Sequence, residues 1–298
     1  MKRVLKWLGI VLGGLIGLVL ILLAAVFVVS SSRLNRTYSL PQETIVVESG
    51  AASLANGERL VTVFCTGCHG PNLEGTVFLN DPMLGTIVAS NLTAGQGGIG
   101  QSLTDLDFER AIRHAVGPDG KGLWVMPAAE YNHLSDQDVA DIIAYIRSLP
   151  PVDNDPGESQ LALGGRVLFT LGAVQLLTAE VIDHQQPHVE AVEPGVTLVY
   201  GEYLARTCTG CHGPDYAGGP SPEPGGWPVA NLTPHEASGL GSWTEQDFIT
   251  AMRTGVRPDG TELNPAMPWQ AYAPLSDEDL SAIWLFLQSL PPVDSSGR

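Results

Sequence analysis

Two stretches, Phe64–Gly75 "FCTGCHGPNLEG" and Thr207–Gly219 "TCTGCHGPDYAGG", write nearly the same phrase 143 residues apart and contain all four cysteines of the 298-residue chain. Cys65, Cys68, Cys208 and Cys211 leave no spare thiol, so a disulfide framework would have to consume the phrases themselves. Cys-x-x-Cys has three common uses: zinc ligation, a thioredoxin-like redox pair, or covalent haem attachment. The histidine that directly follows each pair, His69 and His212, selects the third. Cysteines three apart on a helical turn lie on one face and can form thioethers to two vinyl groups of one porphyrin. The next residue then offers its imidazole to the iron. A redox pair would sit in a βαβ unit, which the pattern lacks. A four-cysteine zinc site would leave both histidines unexplained. The expectation is two covalently bound haem c groups.

Outward from the phrases the chain matches itself. Asn91-Leu92-Thr93 answers Asn231-Leu232-Thr233, and "LSDQDVADIIAYIRSLPPVD" from Leu134 answers "LSDEDLSAIWLFLQSLPPVD" from Leu275. This indicates two copies of a whole domain rather than a solenoid of short units. In each copy a helical lead-in near Gly57 or Gly201 reaches the cysteines and a Gly/Pro-rich loop follows. A helix spans about Leu106–Val116 or Gln246–Val256, a loop carries a Met-Pro pair, and a last helix runs from Ser135 or Ser276 to Leu149 or Leu290. Ser135 and Ser276 are N-caps with an acid three residues on, and Pro150-Pro151 and Pro291-Pro292 stop the helices. The two Asn-Leu-Thr triplets also fit the glycosylation sequon but read as loop residues.

The residues from Trp7 to Val29 carry no charge and suffice to cross a ~30 Å hydrocarbon core, longer than the apolar region of a cleaved signal peptide. Residues 1–32 are therefore expected as an uncleaved signal-anchor and 33–50 as a linker. The two domains follow at 51–153 and 196–298, joined by 154–195 with a linker helix between Leu161 and His184. That helix packs on a domain or lies at the membrane surface, because Arg166 interrupts the apolar run. Five of the 15 basic residues precede Glu43, so the remainder sets ten against all 32 acidic ones. Such a surface excludes nucleic acid and suits a positively charged protein partner.

Both units resemble class I cytochrome c domains over nearly the whole chain beyond Ala51. "NLTPHEASGLGSWTEQDFITAMRTGVRPDG" and "MPWQAYAPLSDEDL" are similar to the cytochrome c subunits of periplasmic alcohol and aldehyde dehydrogenases, which usually carry three haem domains. The resemblance implies an all-α fold and a methionine as second axial ligand. Met83 lacks a counterpart and Met252 aligns with Ile112 on a helix. Met126 and Met267 correspond, each before a proline that favours extended backbone, and are the expected ligands. It further implies that the carbonyls of Pro71 and Pro214 accept the imidazole N–H, and that Arg113, Arg253, Tyr131 and Tyr272 hold haem propionates. Gly57 and Gly201 would pack the first helix against the last, beside Tyr145 and Phe286. His114, His133, His184, His188 and His235 have no counterpart in the opposite unit and are expected at the surface or as caps.

Haem c is attached on the outer side of a bacterial-type inner membrane in that family, which places both domains on the periplasmic face with Lys2, Arg3 and Lys6 in the cytoplasm. With both axial positions filled, the expected role is one-electron transfer and not catalysis on a small-molecule substrate. Donors and acceptors would be a quinol-oxidising complex, a dehydrogenase or a terminal oxidase. The rival is a diheme peroxidase or haem sensor, which needs one five-coordinate iron.

Overall fold

The computed structural model describes residues 2–221 and 226–296; Met1 and residues 297–298, at the outer ends of the first and last expected segments, lie outside it. The first repeat comprises α2 (Ala51–Phe64), the motif turn α3 (Thr66–His69), α4 (Asp105–His114), α5 (Ala128–Tyr131) and α6 (Asp136–Ser148). The second repeats this order as α8 (Leu198–Ala205), α9 (Thr209–His212), α10 (Glu245–Thr254), α11 (Trp269–Tyr272) and α12 (Asp277–Ser289).

Local chemistry sets these limits. Thr104 and Thr244 open α4 and α10 with full capping boxes through Asp107 and Asp247. Ser135 and Ser276 accept from the N–H of Asp138 and Asp279 to open α6 and α12. Both last helices end at Leu149 and Leu290, which take extended backbone because a proline follows. The apolar faces of α2, α4 and α6 meet in one core through Leu60, Val61, Ile112, Val139, Ile142 and Ile143. Leu204, Phe248, Leu280, Ile283 and Leu287 form its counterpart.

The first and last helices of each unit cross at a glycine. A Cβ on Gly57 would stand 2.1 Å from the Asp141 carbonyl oxygen and 2.8 Å from Tyr145 Cβ. On Gly201 it would stand 2.0 Å from the Ala282 carbonyl and 2.9 Å from Phe286 Cβ. The expected close packing is present in both units, and only a residue without a side chain permits it.

The repeats meet through a polar seam. The Tyr203 hydroxyl accepts from the Ser135 N–H at 2.8 Å and donates to Asp138, and Arg59 pairs with Asp279 at 3.0 Å. His133 Nε2 donates to the Tyr203 carbonyl at 3.1 Å, so this histidine is buried in the seam and not at the surface as expected. Val63 and Phe64 reach from α2 into the core of the second unit.

Two features depart from the all-α expectation. The loop after the first motif folds into a hairpin, β1 (Thr76–Asp81) and β2 (Gly85–Ala89), and β3 (Gln160–Leu161) from the inter-repeat segment extends it into an antiparallel three-stranded sheet. The β-rich run "TVFLND" and an Asp-Pro turn, in which the Asp81 carboxylate accepts from the N–H of Met83 and Leu84, explain it. The second unit pairs only Gly219 with Val229 at this place among the described residues. The linker helix is also short: α7 covers Leu163–Thr170 alone.

The N-terminal helix α1 (Lys2–Leu34) is long and apolar enough to cross a membrane. Its last turns are held by α7. Arg166 donates to the hydroxyls of Ser30 and Ser31 at 2.9 and 3.2 Å. Arg33 lies 3.9 Å over the Phe169 ring and pairs with Glu180. Ile87, Phe169, Leu176 and Leu177 form a small third core at this junction, which the linker reaches by packing on both the sheet and the anchor.

Gly201→Ala is expected to drive a methyl group into the Ala282 carbonyl and destabilise the second unit by roughly 1–3 kcal/mol or more. Denaturant unfolding of the variant beside a Gly50→Ala control, where an added Cβ meets nothing within 4 Å, checks this.

Candidate haem sites

In both units the helix that crosses at glycine leads straight into the motif. Cys65 donates its N–H to the Val61 carbonyl as α2 ends, and the Cys-x-x-Cys-His turn closes at a left-handed glycine, Gly70 at φ 85° and Gly213 at φ 79°. The loops beyond agree bond for bond. Gly75 and Gly218 donate to the carbonyls of His69 and His212 at 2.7 and 2.9 Å, and Leu92 and Leu232 donate to the carbonyls of Leu73 and Tyr216 at 2.8 Å each.

Each imidazole is oriented by one hydrogen bond. His69 Nδ1 donates to the Ser90 carbonyl and His212 Nδ1 to the Ala230 carbonyl, both at 2.8 Å. This corrects the expectation for Pro71 and Pro214: the accepting carbonyls come from the far side of the loop, 21 and 18 residues after the histidine. Ser90 and Ala230 were not foreseen. Their signal in the sequence was the Asn-Leu-Thr repeat that directly follows each of them.

That repeat is a clasp. Asn91 donates to the Val152 carbonyl at 2.8 Å and Asn231 to the Val293 carbonyl at 2.7 Å. Thr93 and Thr233 donate to the respective asparagine side-chain oxygens and accept from the N–H of Val152 and Val293. All four side chains are buried. The clasp ties the loop that presents the carbonyl to the chain after the last helix.

A carbonyl can only accept, so Nδ1 carries the proton and Nε2 keeps its lone pair in both rings. Burial lowers the pKa of each histidine against the opposing pull of its backbone bond, favouring the neutral, metal-ligating form. Burial pushes the Cys65 thiol up to about 12, with Cys68 adding to it, and the Cys208 thiol to about 11. A redox Cys-x-x-Cys needs a lowered thiol pKa, so these environments oppose that use. Among the described residues no disulfide joins any two cysteines. The donor set fits haem c: two sulfurs on one turn and a neutral imidazole fixed through its far nitrogen.

Met126 and Met267 occupy equivalent places. Each is partly buried, and its carbonyl accepts from the N–H two residues on, Ala128 at 2.9 Å and Trp269 at 2.8 Å. Pro127 and Pro268 then cap α5 and α11 with nearly identical backbone angles. Met83 is exposed on the hairpin turn and Met252 is buried on α10. Tyr131 lies beside Cys65 and Cys68, and Tyr272 beside Cys208 and Cys211, and burial raises both phenols.

The propionate role expected of the other matched residues is revised. The Tyr131 hydroxyl donates to the Phe64 carbonyl at 2.9 Å. Arg113 donates to Asp136 at 2.7 Å and Arg253 to Asp277 at 2.9 Å, so each arginine ties the fourth helix of the chain or its repeat to the start of the last. Burial among carboxylates decides that use for Arg113, whereas Arg253 is partly exposed and meets the exposed Asp277 alone.

The second motif lies against the first unit. α9 of the second unit packs on α5 of the first, and α11 packs on α2. A Cβ on Gly210, inside the second motif, would meet the Glu130 carboxylate at 2.5 Å. Tyr272 adds to the rise of the Tyr131 phenol across the boundary between the units.

The cytochrome c family matches residues 54–150 and 198–291. The chain belongs to that family and is an electron-transfer cytochrome with covalently bound haem c. It is 30% identical over 282 residues to the fructose dehydrogenase cytochrome subunit of Gluconobacter japonicus, covering 87% of this chain and 57% of that protein. With the alcohol dehydrogenase (quinone) cytochrome c subunit of Gluconobacter oxydans it shares 42% identity over 251 residues, 76% of this chain and 52% of the other. A diheme cytochrome c-type protein of Cereibacter sphaeroides is 27% identical over 310 residues, 93% of this chain and 98% of its own length. The chain thus spans little more than half the length of these dehydrogenase subunits.

Asn231→Ala removes the bond to Val293 and one anchor of Thr233. A loss of about 1–3 kcal/mol in the stability of the second unit is expected, read by denaturant unfolding, with Asn91→Ala doing the same to the first.

Proposed function

We propose that the chain is a membrane-tethered diheme cytochrome that takes single electrons from a periplasmic dehydrogenase or quinol-oxidising complex and passes them to an acceptor such as a terminal oxidase. The observation that carries this reading is the duplicated imidazole, held through Nδ1 by the Ser90 or Ala230 carbonyl so that Nε2 is left for iron. Cys65 and Cys68 would hold one haem and Cys208 and Cys211 the other, with His69 and Met126 as the iron ligands of the first and His212 and Met267 as those of the second. Haem c supplies a one-electron iron couple, and a thioether opposite imidazole favours the ferrous state.

The contacts of α5 with α9 and of α11 with α2 support electron exchange within the chain, because the second motif abuts the Met-Pro helix of the first unit and the Met-Pro helix of the second abuts the helix that leads into the first motif. The anchor α1 and the resemblance to dehydrogenase cytochrome subunits support a fixed station at the membrane, with residues 51–153 and 196–298 on the periplasmic side. The acidic surface suits a basic docking patch on the partner.

Met126→Ala and Met267→Ala test the assignment. Each is expected to lower one of two midpoint potentials and let carbon monoxide bind one iron, leaving the other unchanged. Two unaltered potentials would overturn the ligand assignment. A pyridine haemochrome assay is expected to give two covalent haems per chain. Carbon monoxide binding to the unmodified protein would favour the peroxidase or sensor reading.

A further inference from the structure

Five histidines lie outside the motifs, and three of them converge although they are far apart in sequence. His114 is the last residue of α4, while His184 and His188 belong to the segment joining the repeats. The His114 and His184 ring centroids are 5.1 Å apart, and those of His114 and His188 are 6.3 Å apart. Glu43, from the segment between the anchor and the first repeat, completes the group. One donor atom each from Glu43, His114 and His188 falls within 4.8 Å of the others. His114, expected at the surface or as a cap, is 2% exposed and so is a buried polar side chain.

The hydrogen bonds fix where its lone pair points. His184 Nε2 lies 3.1 Å from the Ala179 carbonyl, which can only accept, so this nitrogen carries the proton. With neutral rings, His184 Nδ1 is an acceptor, and His114 Nδ1 donates to it at 3.0 Å. His114 Nε2 is then a bare lone pair. It faces Glu43 Oε1 at 3.6 Å and Glu109 Oε1 at 4.0 Å. Those separations exceed hydrogen-bond range, and both His114 Nε2 and Glu109 Oε2 are buried without a partner. A lone pair aimed at two ionised carboxyl groups is repulsive unless a proton or a metal cation lies among them.

We infer that Glu43, His114 and His188 bind one divalent transition-metal ion of the zinc type, which pins both linkers to the first repeat. Donors that share a tetrahedral ion at ~2.0–2.2 Å lie roughly 3.3–3.6 Å apart. Glu43 Oε1 stands 3.6 Å from His114 Nε2 and its Oε2 3.8 Å from His188 Nδ1, and one donor atom from each residue lies within 4.8 Å of the others, so shifts of about an ångström bring the three into range. The chain from His114 through His184 to the Ala179 carbonyl is the kind of outer support that fixes a ligating imidazole. Arg113 is the opposing charge. It is engaged by Asp136 at 2.7 Å and Glu109 at 3.3 Å and stands 3.6 Å from Glu43, so three carboxyl groups face one guanidinium. A cavity of about 330 Å³, lined by Glu43, Glu109, Arg113, Asp136 and His188, gives an ion a way in and leaves room for a water ligand.

Mixed imidazole and carboxylate donors suit zinc and its neighbours more than calcium or magnesium. The cross-brace joins three segments distant in sequence: the anchor's linker, the end of α4 and the inter-repeat segment. None of this depends on the haem assignment.

The test uses the full-length protein in detergent, without a histidine tag, stripped with a chelator and equilibrated by dialysis against zinc chloride. Metal analysis is expected to find one zinc per chain, and zinc is expected to raise the melting temperature. His188→Ala, whose ring is partly exposed, is expected to weaken zinc binding by roughly 100-fold and abolish the thermal shift. Glu43→Gln should do likewise, whereas His235→Ala should change neither. Absence of zinc at micromolar free metal would overturn the proposal, as would equal binding by the unmodified protein and His188→Ala. Either result would identify the cluster as an ion-pair network alone. Iron and covalent porphyrin, assayed on the same samples, report the haem reading separately.

Discussion

The hydrogen bond from a motif histidine to a carbonyl across the loop is the constraint on which the rest of each unit depends. A Cys-x-x-Cys-His turn has five residues and no core of its own, so it cannot orient an imidazole. The orientation comes from the Ser90 or Ala230 carbonyl, and that carbonyl is held by the asparagine and threonine that follow it. Those side chains in turn grip the chain beyond the last helix. The last helix can approach only because glycine replaces a side chain where it crosses the first, and the first helix ends at the cysteines. The route returns to its starting point, which explains why the two units agree in so many bonds despite different loop lengths.

Between the units the same economy holds. Tyr203 serves as acceptor for Ser135 and donor to Asp138, so the N-terminus of one last helix is completed by a residue of the other repeat. Arg59 and Asp279 repeat the arrangement in the opposite sense. Because charged and hydroxyl groups carry the seam, it sets a specific relative orientation; a purely apolar contact would tolerate sliding. That orientation keeps α9 against α5 and α11 against α2.

The linkers are more than spacers. α7 grips the end of the membrane helix through Arg166 and Phe169, and the inter-repeat segment donates a strand to the sheet of the first unit. The N-terminal helix is thus coupled to the first repeat by packed structure.

How much was legible in advance divides along physical lines. The sequence by itself determined the motif histidines and cysteines, the duplication, the membrane-length helix, the Ser135 and Ser276 caps and the glycine crossings, because each depends on residue type at short, fixed spacing. Only the tertiary structure decided which carbonyl meets each imidazole, since Pro71 and Ser90 are equally available to His69 until the loop closes. It also decided the fate of Arg113, which matches Arg253 in sequence but is buried among carboxylates from other segments. The three-stranded sheet and the meeting of Glu43, His114 and His188 belong to the same class. Such contacts join residues dozens of positions apart, and no local periodicity records them, because chain closure alone sets their distances.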